Sequence, residues 1–203
     1  MCFILLLLSF QEVFAQWSVG GKVGANFSNL KNGSMAEWRQ RVGFNLGAVG
    51  HYQFNGWLGI QGEILYTKYA VHNDSGLLDM GNVGIDGNPL VLDDAKIRSH
   101  YIDVPIFAQI SPFKRIPGLN FEVGVQPGFL LGENISDGKR SVDTNLYDRN
   151  PVNCSLLFGA AFKFPARWYF DLRYVLGLTD NYECYSGLNT HALQLSLGYL
   201  FQL

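Results

Sequence analysis

Apolar and polar residues alternate with period two through most of the chain. Residues 17–28 set Trp17, Val19, Val23, Ala25 and Phe27 against Ser18, Gly20, Lys22, Gly24, Asn26 and Ser28. Successive side chains of a strand point to opposite faces, so this segment has one apolar face and one face of polar residues and glycine. The pattern recurs over 42–54, 58–67, 99–110, 121–129, 153–164, 168–177 and 193–202. Segments of about 9–13 residues are long enough for a tilted transmembrane strand, which needs about 9–11. No helix is predicted after residue 16.

The connections decide the topology. Long links (29–41, 71–98, 132–151 and 180–189) alternate with short ones (Asn55-Gly56, 111–118 and 165–167). Asn-Gly between two alternating runs predicts a two-residue hairpin. Pro105 has no N–H for a ladder, so it predicts a bulge or a local break. Short turns at one end and longer loops at the other are the arrangement of outer-membrane barrels, with the turns periplasmic. The expected fold is all-β: an eight-stranded antiparallel up-and-down transmembrane β-barrel with short periplasmic turns and longer extracellular loops.

Composition narrows this reading. The chain of 203 residues is 14% aromatic and 16% charged, with 23 glycines. Mean hydropathy is +0.06, yet no apolar run reaches the roughly 18 residues of a spanning helix. Trp17, Tyr52, Phe54, Trp57, Phe113, Phe121, Phe164, Trp168, Phe170, Tyr199 and Phe201 fall near the turn ends, as an interfacial girdle would. A sparser set, Phe27, Phe44, Tyr66, Tyr69 and Phe129, falls near the loop ends. The apolar face is therefore expected to meet lipid. At the N-terminus, Phe3 to Phe10 and the Val13-x-Ala15 site predict a cleaved signal peptide over 1–15, with 16–203 as the barrel domain and the bacterial outer membrane as destination. Cys154 and Cys184 would then lie in an oxidising compartment, where they can form a disulfide.

The opposite face carries the charges. Lys22, Glu63, Asp103, Glu122, Lys163, Asp171 and Arg173 all point to the lumen, among glycines that leave room in a narrow interior. Their signs nearly balance. Ion pairs packing a closed lumen are expected, since isolated buried charges are too unfavourable; ion conduction is not.

Four segments resemble a known family. Trp17 to Leu30, Tyr101 to Ile106, Asp171 to Leu178 and Leu197 to Phe201 are similar to PorT-like outer-membrane β-barrel proteins. The resemblance implies the barrel; its namesake's link to protein secretion is a property of fold relatives, not of these residues. The run Leu195, Leu197, Tyr199, Phe201 and Leu203 resembles the terminal signal read by the barrel-assembly machinery.

Other chemistry is sparse. The segment between His72 and His100 holds Asp74, Asp79, Asp86, Asp93 and Asp94 without the spacing of a calcium loop. No zinc-type spacing, nucleotide loop or basic stripe occurs, so no cofactor, metal or nucleic-acid partner is expected. Ser99, His100, Asp180 and His191 near the outer rim are the residues a catalytic reading would use. The expected role is non-enzymatic, structural or interactive, with outer-membrane lipid around the barrel and a protein partner at the extracellular loops, chiefly 71–98. Two alternatives differ in class: a soluble periplasmic barrel holding a small apolar ligand inside, and an outer-membrane lipid-modifying enzyme.

Overall fold

The computed structural model describes residues 17–31, 38–73, 78–79, 91–92, 96–113, 115–116, 118–136, 141–143, 151–179 and 189–203. Eight long strands follow one another. They are β1 (Trp17–Lys31), β2 (Trp38–Gln53), β3 (Leu58–Asn73), β4 (Lys96–Asp103, continued by Ile106–Ile110), β5 (Leu119–Ser136), β6 (Val152–Lys163), β7 (Trp168–Gly177) and β8 (Asn189–Gln202). The signal-peptide segment and Cys184 lie outside the described residues.

Each strand pairs antiparallel with its sequence neighbours, and β1 pairs with β8 from Ser18↔Gln202 to Lys31↔Asn189, which closes the sheet into a barrel. Closure gives every strand a partner on both sides, the condition for crossing a bilayer without unpaired backbone groups. The strands reach further than the alternation alone marked. β3 continues through Asn73 and β5 through Ser136, into segments expected to be loop. Backbone pairing continues there after the lipid-facing pattern has stopped. A two-rung ladder, Leu78–Asp79 against Val91–Leu92, also forms within the long 71–98 connection.

The burial pattern fixes the faces. Glu63 is 2% exposed and the next residue, Ile64, is 61% exposed. The same parity holds along the strands: Lys22, Asn26, Asn45, Gln61, Thr67, Gln109, Glu122, Asp171 and Gln194 are buried, while Val23, Leu46, Ile60, Val123, Leu172 and Leu195 are exposed. An apolar exterior around a polar interior is the arrangement of a transmembrane barrel. The soluble alternative needs the apolar face inside; the described strands turn it outward.

Pro105 interrupts β4 without shifting it. Pairing resumes at Ile106↔Val125 and Gly62↔Ile106 in the register it left at Asp103. The Pro105 carbonyl still accepts from Glu63 N–H at 3.0 Å, and Val104 N–H donates to Pro127 O at 2.8 Å. Pro105 is thus a local break, not a bulge. True register shifts occur between Gln40 and Phe44 on β2 and beside His100, where β5 carries one extra residue near Leu131.

The first turn departs from the two-residue hairpin. Gly56 is not in the left-handed region, and Phe54 N–H donates to Leu58 O at 3.0 Å, leaving Asn55, Gly56 and Trp57 as the loop. The Asn55 side chain explains this: its Oδ1 accepts from Trp57 N–H at 3.0 Å and Leu58 N–H at 2.9 Å. An Asx turn of this kind supplies the reversal that the paired left-handed residues of a type I′ turn would otherwise provide.

Candidate functional site: the charged lumen

Alternate strands fill the middle of the barrel. Lys22 from β1, Glu63 from β3, Glu122 from β5, and Asp171 and Arg173 from β7 meet there with their side chains fully buried. Arg173 is the hub. Its Nη1 and Nη2 donate to the two oxygens of Glu63 at 2.8 and 2.9 Å, and its Nε donates to Glu122 Oε2 at 2.6 Å. The Asp171 carboxylate lies 3.4 Å from Nη2. Lys22 Nζ bridges Glu63 and Asp171, 3.1 Å from each. The guanidinium also stacks over the Phe107 ring, 4.3 Å from its centroid.

The planar fork of arginine suits this position, since it offers five donors in fixed directions and matches carboxylates bidentately. Two glutamines complete the layer. Gln61 donates to Glu63 at 2.7 Å, and the Gln109 amide donates to Glu122 at 2.9 Å and to Gln61 Oε1 at 3.0 Å. Glu63 and Glu122 are paired and hydrogen-bonded in this way, and Asp171 is paired with both cations, so the cluster escapes the penalty of isolated buried charge.

Five of the seven charged residues expected in the lumen therefore belong to one network, and two stand apart at other heights. Asp103, on the outer side of the Pro105 break, accepts from Tyr69 O–H at 3.0 Å. Tyr69 in turn accepts from Gln126 at 3.2 Å and packs beside Tyr101, Val175 and Ala192. Lys163, at the turn end of β6, has its Nζ 3.1 Å from His51 Nε2.

Tyr69 corrects one expectation: it was assigned to the lipid-facing rim and lies in the lumen. Odd positions of β3 face inward, and Tyr69 shares that parity with Glu63 and Thr67. Gln61 and Gln109 lie on the polar face where the alternation puts them, while Phe107 and Tyr169, both buried in the interior, were missed as lumen residues. The parity of Asp103 would have found Phe107, and that of Asp171 would have found Tyr169. Tyr169 lies fully buried, and a Cβ on Gly198 would run into its ring. That glycine is required by close approach.

The described residues of the catalytic reading, Ser99, His100 and His191, do not assemble. Ser99 points inward and donates to Glu133 at 2.8 Å, while the adjacent His100 lies on the outer face with Nδ1 2.6 Å from Tyr66 Oη. His191 sits 3.0 Å from Tyr174 Oη on the β7–β8 face. Neighbours along a strand point to opposite sides of the sheet, so Ser99 and His100 cannot act on one substrate atom. Asp180 and most of the acidic 71–98 segment lie outside the described residues. Cys154 is the free thiol of the described residues, and its expected disulfide partner Cys184 lies outside them.

A model of the outer membrane protein beta-barrel domain family matches residues 13–183. The chain belongs to this family. An outer-membrane barrel domain accounts for the apolar exterior and the closed sheet, and it places the protein in the bacterial outer membrane. Among solved structures, Neisserial surface protein A is similar at 11% identity, covering 91% of this chain and 97% of that one, with a TM-score of 0.55. Ail of Yersinia pestis is similar at 16% identity, over 92% of this chain and 99% of that one, with a TM-score of 0.49. OprG of Pseudomonas aeruginosa follows at 12% identity, over 93% and 97%, with a TM-score of 0.45. At such identities the likeness is one of fold. No curated protein sequence matches the chain.

Proposed function

We propose that the protein is a non-enzymatic outer-membrane barrel that works through contacts made by its extracellular loops. The observation that carries this reading is the filled lumen. Lys22, Glu63, Glu122, Asp171 and Arg173 join four strands across the barrel centre with no exposed side-chain surface, so the interior serves as structure and the rims remain for recognition. The 71–98 connection is the first contact surface, because connections of this length in compact domains are commonly functional. The resemblance to PorT-like barrels supports an envelope or secretion setting for those contacts.

The test is deletion of residues 75–94 from the full chain. The expected result is a heat-modifiable outer-membrane band like that of the wild type, with loss of the adducts that wild-type protein forms on cross-linking in intact cells. Unchanged adducts after the deletion would overturn the role given to this loop.

A further inference from the structure

One wall of the charged lumen is short of hydrogen-bond partners. The registers set Asn45 of β2, Gly24 of β1, Ser196 of β8 and Asp171 of β7 in one row across four neighbouring strands. Asn45, Ser196 and Asp171 are buried there. Gln194 lies one step along the same face of β8, also buried, between Arg173 and Asn26. Among the described residues, Asn45 Oδ1, Ser196 Oγ, Gln194 Oε1 and both oxygens of Asp171 have no hydrogen-bond partner. Asp171 makes its ion pairs through Oδ2 alone. Gly24 brings two of these oxygens to one point. A Cβ on it would lie 2.8 Å from Asn45 Oδ1 and would run into Ser196 Oγ, so both oxygens face the space that a side chain would take. The Asp171 carboxylate is next in the row.

We propose that this row binds one monovalent metal cation, held by the Asp171 carboxylate, Ser196 Oγ and Asn45 Oδ1, with Gln194 as a further oxygen donor. Carboxylate and amide oxygens only accept, so what they lack is a donor or a positive charge. The charges of the layer decide between these. Lys22 and Arg173 face Glu63, Glu122 and Asp171, two cations against three carboxylates. Lys163 and Asp103 at other heights cancel one another, so one negative charge remains in excess. Buried charge is unfavourable unless it is compensated, and the unpartnered oxygens stand beside the carboxylate whose hydrogen bonding is incomplete. Carboxylate and carbonyl oxygens are the ligands of hard cations. A divalent ion would overshoot the excess next to Lys22 and Arg173. The donors come from separate strands, so no spacing motif in the sequence announces them. Entry needs no path through the closed lumen, because the barrel closes around the ion as it folds.

The test is reversible urea unfolding of the full chain in phosphatidylcholine vesicles, in sodium chloride and in choline chloride at equal ionic strength. Screening is then the same, and choline is too large for the site. The midpoint should be higher in sodium, and the unfolding constant should fall about tenfold for each tenfold rise in sodium above its Kd. Asp171→Asn, which removes the excess charge with little change of shape, should abolish the difference between the two salts. Ser196→Ala, a smaller change, should reduce it. Asp103→Asn makes the same change of charge in another layer and should keep the difference in full. Heat-modifiability verifies that each barrel is folded. Equal wild-type midpoints in the two salts would overturn the proposal, as would an undiminished difference in Asp171→Asn. Loss of the difference in Asp103→Asn would make the effect one of total lumen charge and overturn the site. So would a midpoint that follows pH but not the cation, which would assign the compensating charge to a proton.

Discussion

Arg173 holds more of the lumen together than any other side chain. It touches Glu63, Glu122 and Asp171 at once and covers the Phe107 ring. Removing one member of a buried ionic cluster leaves its partners uncompensated, at a cost of about 3–5 kcal/mol. Arg173→Met is expected to lower the stability of the folded barrel by that amount, read as a shift of the urea midpoint in lipid vesicles. Adding Glu122→Gln to this variant should recover part of the loss, because one orphaned charge disappears. A single variant as stable as wild type would show that the pairs contribute nothing net. Much of this cluster was legible in the sequence, because parity alone assigns Lys22, Glu63, Glu122, Asp171 and Arg173 to one face. Which charges meet was not legible. That depends on the stagger of strands around the barrel, which brings Arg173 to Glu63 across 110 positions of sequence and leaves Asp103 and Lys163 at other heights.

Elements were read from the same alternation, and their ends were where it failed. A lipid-facing pattern stops at the membrane boundary, whereas backbone pairing needs no pattern and carries β3 and β5 beyond it. Turns failed for a different reason: the Asn-Gly signal named the position of the first reversal, but the Asn55 side chain imposed its own geometry. The third turn is strained in a way the sequence did not announce. Arg167 has φ of 69°, the only positive φ at a non-glycine residue among the described positions. Its neighbours hold it there, since Arg167 N–H donates to Phe164 O and Leu200 N–H donates to Arg167 O. A left-handed non-glycine residue costs about 1–2 kcal/mol, while glycine adopts this region freely but loses more backbone entropy on folding. Arg167→Gly is therefore expected to stabilise the barrel by about 0.5–1 kcal/mol, with an upward shift of the urea midpoint. A downward shift would mean that the arginine side chain contributes more than its backbone strain removes.

At the scale of the molecule, eight strands set the diameter, and that diameter makes the lumen a matter of side-chain volume. An interior of this size is just wide enough for its own side chains. Here it is occupied at mid-height by five charged residues and two glutamines bonded to one another, with Tyr69 and Tyr101 on the outer side and Tyr169 toward the turns. An ion crossing this layer would have to break paired charges in a low-dielectric interior, which is unfavourable. Wild-type protein in planar bilayers is therefore expected to give no discrete current steps. Replacing Glu63, Glu122 and Arg173 together by serine removes the cross-strand layer without leaving one charge unbalanced by several, and it frees the volume of three long side chains. That variant, if it keeps its heat-modifiable band, is expected to pass small ions. Current steps from the wild type would show that the network yields under a field, and the lumen would then have to be read as a path. A silent triple variant would place the closure in the tyrosine layers on either side, so the two recordings together locate the barrier along the barrel axis.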